Sequence, residues 1–377
     1  MTLSLFAVLV LYLLALGIAC VGQDVFGRRV SPILPIAFAL LFVWTCWART
    51  IAYPPYSDLA TYLVHYSDGA ESYYGQGFLL LSGAVRAVIG ANAALFIAAI
   101  ATVNIVCILV AGRLLSPVIQ SGAEETCVVP GGGTKQHWRG VGTLLGAYAM
   151  YWGLSYSAEV LRAGVATSLA LLAIAFLLRR RLVSAILVGA LALWVHWTLI
   201  ILAPFCVALL FRRPFPLKRL HFGIWLGILL VADVLRAGVT IARSMSSAIS
   251  DFLVAIDQSA HYGTYLDVGY DDSAYGYLSL QYFFYRVVAV AMLFADLRNA
   301  RYRVFVTGFY IGLTIYTLFS GFDAANRLQW VYLTLTVFGA YYFVHEDRDV
   351  PHWQKMLVMS VFMSLQSVMA LRYLGSV

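Results

Sequence analysis

The chain has 377 residues, 62% hydrophobic and only 11% charged, with 25 Lys and Arg against 18 Asp and Glu and a net charge of +7. Soluble domains are about a quarter charged, so this composition excludes a water-soluble enzyme, a disordered chain and a nucleic-acid-binding protein. It fits a membrane protein, in which positive charge records topology before it records partners.

A bilayer core takes about 20 apolar residues per crossing helix. Candidate spans fall at about 3–22, 31–47, 93–112, 141–158, 160–178, 182–195, 197–211, 219–240, 277–296, 304–320, 328–344 and 355–373. The predicted fold is all-α: one polytopic membrane domain over 1–377 with about 12 transmembrane helices. The first segment lacks a basic start and a small-residue cleavage site, so it reads as a retained span and not a signal peptide. Segment 76–90, short and carrying Arg86, reads as an interfacial or re-entrant helix. The runs near 190 and 205 are short and read as a bent pair.

Six groups hold 17 of the 25 bases: Arg28/Arg29; Arg113, Lys135 and Arg139; Arg179/Arg180/Arg181; Arg212, Arg213, Lys218 and Arg219; Arg298, Arg301 and Arg303; Arg348 and Lys355. They alternate with base-poor loops, which places them in the cytoplasm and both termini outside. The outer loop at about 48–92 carries Asp58, Asp68 and Glu71 among many tyrosines. The other, at about 241–276, carries Asp251, Asp257, Asp267, Asp271 and Asp272 with Tyr262, Tyr265, Tyr270 and Tyr275. Rings and carboxylates together suit sugars, and the competing reading is an interfacial aromatic belt. The cytoplasmic loop at about 113–140 has three glycines but no GK[ST], so it is not a phosphate loop. The five cysteines have no CxxC spacing and the histidines no HExxH pattern, which predicts neither a disulfide nor a cysteine metal site.

Ionisable groups within spans raise functional hypotheses. Arg162 stands at the outer end of its helix, and a local pair with Glu159 is the competing reading. His196 sits between two short apolar runs, where a bend would bring it to the outer surface. Arg327 opens the eleventh span, with Asp323 one turn earlier. These three converge at one depth, and Arg suits bidentate phosphate contacts. Arg86 and Arg286 are secondary members. Arg236 with Asp233 reads as a packed ion pair.

Over about residues 45–345 the chain resembles the EpsG-type family of Wzy-like bacterial polysaccharide polymerases. YSDLATYLVHY, through Asp58 and Tyr62, matches the family's first-loop Asp and Tyr. LRAGVA matches a helix-opening motif through Arg162 and Ala166, with Ala163 in place of Gln. VHWTLII matches through His196 and NRLQWVY through Arg327. In GQGFLLLSGAV, Gln76 and Gly77 stand where an acid and Pro would be, and Glu71 is a candidate replacement.

The resemblance implies polymerisation of undecaprenyl-pyrophosphate-linked repeat units on the periplasmic side of the bacterial inner membrane. The arrangement is also similar, by fold-level analogy, to multi-span GT-C glycosyltransferases. In the implied reaction Arg162 and Arg327 stabilise the leaving pyrophosphate, and His196 or Asp58 takes the acceptor proton. Arg86, Arg286, Glu159, Glu71, Asp323, Tyr62 and Tyr74 complete the expected substrate contacts. No cofactor is implied and a divalent metal is not obligatory. Implied partners are the lipid-linked saccharides, membrane lipids, and a flippase and chain-length regulator of the same pathway. The alternatives are a polyprenyl-phosphate-sugar transferase, an O-antigen ligase and, of another class, a lipid-linked oligosaccharide flippase.

Overall fold

The computed structural model describes residues 2–26, 31–51, 58–68, 75–120, 138–210, 217–238, 240–241, 244, 280–295, 297–318, 329–347 and 349–376. Their regular structure is helical, with no strand among the described residues. The helices are α1 (Thr2–Phe26), α2 (Ile33–Arg49), α3 (Asp58–Asp68), α4 (Gln76–Ile89), α5 (Ala93–Gln120), α6 (Val141–Tyr148), α7 (Leu154–Ala158), α8 (Leu161–Leu178) and α9 (Leu182–Val195). They continue with α10 (Ala203–Leu210), α11 (Arg219–Val234), α12 (Leu280–Phe294), α13 (Ala300–Leu318), α14 (Thr336–His345) and α15 (His352–Ser376). Four of them, α1, α5, α8 and α15, are long and apolar enough to cross a membrane. Shorter apolar helices lie at 33–49, 76–89, 182–195, 197–210 and 281–294. The span expected at 219–240 stops early: α11 ends at Val234, and Arg236 turns the chain with φ of 52°.

The chain forms two compact units, residues 1–206 with 340–377 and residues 207–339. In the first, every residue of 141–158 is buried, because this segment is apolar all round. A π turn at Ala149–Gly153 separates α6 from α7. Helices α1, α2, α5 and α15 pack around this axis, and α8 runs back beside α7. A Cβ on Gly164 would collide with the Tyr156 carbonyl. On one continuous helix residues eight apart would be separated by about 12 Å, so the chain must reverse at 159–160.

Charge in this unit is used at helix ends. Asp24, near the end of α1, accepts from the Thr143 N–H at 2.7 Å and from Thr143 Oγ1 at 3.0 Å. That satisfies a donor left over at the start of α6 and places negative charge at its positive end. Lys355, in the first turn of α15, donates to the Val344 carbonyl at 2.9 Å and to the Asp347 carbonyl, just where α14 ends.

In the second unit α11, α12 and α13 pack together. The Tyr310 ring lies 5.1 Å from Phe222 and 5.5 Å from Trp225, and Trp225 Nε1 donates to Thr314 Oγ1 at 2.9 Å. The opposite face of α11 shows Leu220, Ile224, Ile228 and Val231 exposed, at helical spacing. An apolar stripe of this kind suits lipid and not water.

Candidate functional site

The site is built around α3, the short helix that follows α2. Its first residue is Asp58. Its N-terminus is fastened by Glu159 from the turn between α7 and α8, whose Oε1 accepts from the Leu59 N–H at 3.4 Å. Its C-terminus is fastened by Arg86 of α4, which donates from Nη1 to the Tyr66 carbonyl and from Nη2 to the Ser67 carbonyl, each at 3.0 Å. A carboxylate at the positive end and a guanidinium at the negative end both follow the helix dipole. Aromatic packing holds the side of α3. Tyr62 meets Phe78 edge to face at 5.6 Å, and Tyr66 stacks on Phe96 at 4.0 Å. Tyr66 also donates to the Gly90 carbonyl at 2.7 Å.

Glu159 is almost fully buried. Burial pushes its carboxyl up to about 7, against the lowering pull of the Leu59 N–H and the Arg49 guanidinium. Arg49, the last residue of α2, is itself 4% exposed. In the sequence Arg49 sits where an apolar run meets the following loop, a place where a base is ordinary. The signal was present: a basic residue closing an apolar span at its base-poor end. The local Glu159–Arg162 pair was the competing reading, and Glu159 instead faces Arg49 and the start of α3. Arg162, half-buried, is the second residue of α8.

His196 breaks the chain between α9 and a 3₁₀ segment, Trp197–Leu202, with φ −151° and ψ 100°. The start of α4 packs onto this break. A Cβ on Gly77 would stand 2.8 Å from the carbonyl carbon and oxygen of Trp194, so glycine is what lets α4 approach the end of α9. Gln76 and Gly77, the departure from the family's acid and Pro, therefore lie at the docking point beside His196.

The other expected residues divide. Arg86 is engaged by the end of α3. Arg286 makes its salt bridge with Asp233, within the second unit. The local Asp233–Arg236 reading thus gives way to an interhelical pair, while the Arg236 N–H donates to the Asp233 carbonyl at 3.0 Å. Arg327, Asp323, Glu71 and Tyr74 lie outside the described residues.

Buried apolar helices and an apolar face suited to lipid define a helical membrane protein. Over residues 29–376 the chain matches the EpsG family, and it belongs to that family. This is the family of Wzy-like polysaccharide polymerases. No curated protein and no solved structure matches the chain.

Proposed function

We propose that the chain polymerises undecaprenyl-pyrophosphate-linked oligosaccharide repeat units at the outer, periplasmic face of the bacterial inner membrane. The observation that carries this reading is the fastening of α3 at both ends, which holds Asp58 beside the α7–α8 turn. A cation in the first turn of a helix opposes the helix dipole. Arg162, in the first turn of α8, offers there a guanidinium suited to a phosphate.

In the reaction, the anomeric C–O bond joining the growing chain to pyrophosphate breaks. A new C–O bond forms to a hydroxyl of the incoming unit. The hydroxyl proton passes to His196 or Asp58, and undecaprenyl pyrophosphate leaves as an anion. Pyrophosphate is already a good leaving group, so the chief demand is stabilisation of its developing charge by fixed cations in a water-poor site. Arg162 supplies this, and Arg327, which lies outside the described residues, is a second cation expected from the sequence. Asp58 and His196 differ in what their loss does: the base is the one whose neutral replacement abolishes turnover.

The test is purified protein with one defined lipid-linked repeat unit, read as a product ladder. Arg162→Ala and His196→Ala are each expected to lower the rate by about 100-fold. A normal ladder from both variants, correctly inserted, refutes the assignment. Transfer of a single sugar, or capping of lipid A-core, identifies one of the other transferases instead.

A further inference from the structure

The second unit contains a buried ion pair with an uneven arrangement. Three donors converge on one oxygen of Asp233, in the last turn of α11. Tyr282 Oη donates to Oδ2 at 2.8 Å, Arg286 Nε donates to it at 3.1 Å, and Arg286 Nη2 closes the salt bridge. Among the described residues, no donor reaches Oδ1. Arg286 Nη2 also donates to Thr317 Oγ1 of α13. Its guanidinium carbon lies 4.7 Å from the centre of the Tyr282 ring. Nη1 is buried with no hydrogen-bond partner among the described residues.

The two side chains are 7% and 9% exposed. A pair so far removed from water stabilises no better than well-packed apolar residues would. Inside a membrane protein such groups are costly and mark function. The pair also has a defined place along its helices. Arg219, Arg298, Arg301 and Arg303 cluster at one end of α11, α12 and α13, and Asp233, Arg286 and Thr317 stand towards the other.

We propose that Asp233 Oδ1, held in orientation by Tyr282 and Arg286, is a hydroxyl-binding point of a saccharide subsite in the second unit. This rests on the polymerase reading for its ligand, the neutral sugar portion of the lipid-linked repeat unit. Asp233 cancels the charge of Arg286, so the pair offers nothing to a pyrophosphate. What it presents is a carboxylate oxygen that accepts an O–H. The three donors on Oδ2 fix the carboxylate plane, and a fixed acceptor discriminates among hydroxyl positions. Tyr282, half-buried, adds a ring beside the carboxylate, with Arg286 over one of its faces and the other left for a sugar. A ring for the apolar face of a sugar and an acceptor for its hydroxyls form the minimal recognition set.

The probe is the free oligosaccharide repeat unit, released from the host's polymer and carrying neither lipid nor pyrophosphate. It is titrated into purified full-length protein in nanodiscs. The wild type is expected to bind it, and Asp233→Asn and Tyr282→Phe each to weaken binding about tenfold. In turnover of the lipid-linked unit, both substitutions raise KM by a similar factor and leave kcat within about twofold. Tyr282→Phe keeps the Asp233–Arg286 salt bridge, so it carries the test if Asp233→Asn does not fold. Equal binding by the wild type and both variants overturns the proposal. So does failure of the wild type to bind the free saccharide, or displacement of the saccharide by inorganic pyrophosphate. Saccharide binding without any product ladder overturns the polymerase reading and leaves the subsite standing. A ladder unaffected by both substitutions does the reverse.

Discussion

The carboxylate of Glu159 accepts a hydrogen bond from the backbone N–H of Leu59 at 3.4 Å, so a turn between two buried helices fixes the start of a helix 100 residues earlier in the chain. This contact joins α3 to the buried core of the first unit. It also decides where Asp58 stands, because Asp58 is the residue before Leu59.

Glu159→Gln and Glu159→Ala should therefore behave differently. Gln keeps an oxygen that accepts from Leu59 and matches the neutral form that burial favours. Ala leaves a buried N–H without a partner, at about 1–3 kcal/mol. Thermal unfolding in detergent should place the Gln variant near the wild type and the Ala variant well below it. The pH dependence has a definite sign. The folded carboxyl titrates at about 7, above its ordinary 4.5. The folded state thus binds its proton more tightly, and this contribution is complete below 4.5 and lost as pH rises through 7. The wild type should lose stability relative to Glu159→Gln across that window, and parallel curves would contradict the assignment.

Arg49 should act through Glu159. Arg49→Ala removes the cation that lowers the Glu159 carboxyl, so it should destabilise the fold most at the pH values where Glu159 is ionised. In a Glu159→Gln background the same substitution should cost much less, giving a coupling energy of about 0.5–3 kcal/mol in a double-mutant cycle. Additive losses would show that Arg49 is held by something else.

Arg86 is expected to position α3 and not to touch phosphate. Arg86→Lys keeps the charge but cannot serve two carbonyls with one fork. It should resemble Arg86→Met, with a looser α3 seen as faster thiol labelling of a cysteine placed at Ser67. A Lys variant with full polymerase activity beside an inactive Met variant would point to a direct role for the charge.

Two glycines of α4 predict opposite outcomes. Gly77→Ala forces α4 away from the Trp194 carbonyl, and such overpacking costs about 1–3 kcal/mol. A methyl group added at Gly83 meets nothing within 4 Å. Gly83→Ala should therefore stabilise the helix by about 0.5–1 kcal/mol. Melting temperatures of the two variants should move in opposite directions, and only Gly77→Ala should also disturb activity, through the break at His196.

Much of the fold was legible because apolar runs and scarce charges report directly on burial. The long runs at α1, α5, α8 and α15 are membrane-length helices, and the short runs around His196 do mark a break in the chain. Arg162 stood out because a base is rare in the first turn of an apolar helix. Arg49 carried the same signal but lay one residue from a loop, where a base is ordinary. Its importance depends on Glu159, which is 110 residues away in sequence but near it in the fold.

Composition and periodicity alone determined that this chain lives in a membrane, that it is helical, and which few charges stand among its apolar runs. They act on each residue separately, through the cost of exposing apolar groups to water or charges to lipid. Only the tertiary structure decided what those charges do. Glu159 turned from its neighbour Arg162 to the start of α3, Arg86 went to the end of the same helix, and Asp233 paired with Arg286 across helices. The physical reason is that a buried charge is stabilised by whichever counter-charge or helix end lies within a few ångströms. That distance is set by helix packing, down to a missing Cβ at Gly77 and Gly164. The +7 net charge is a sum over residues, and it says nothing of these pairings.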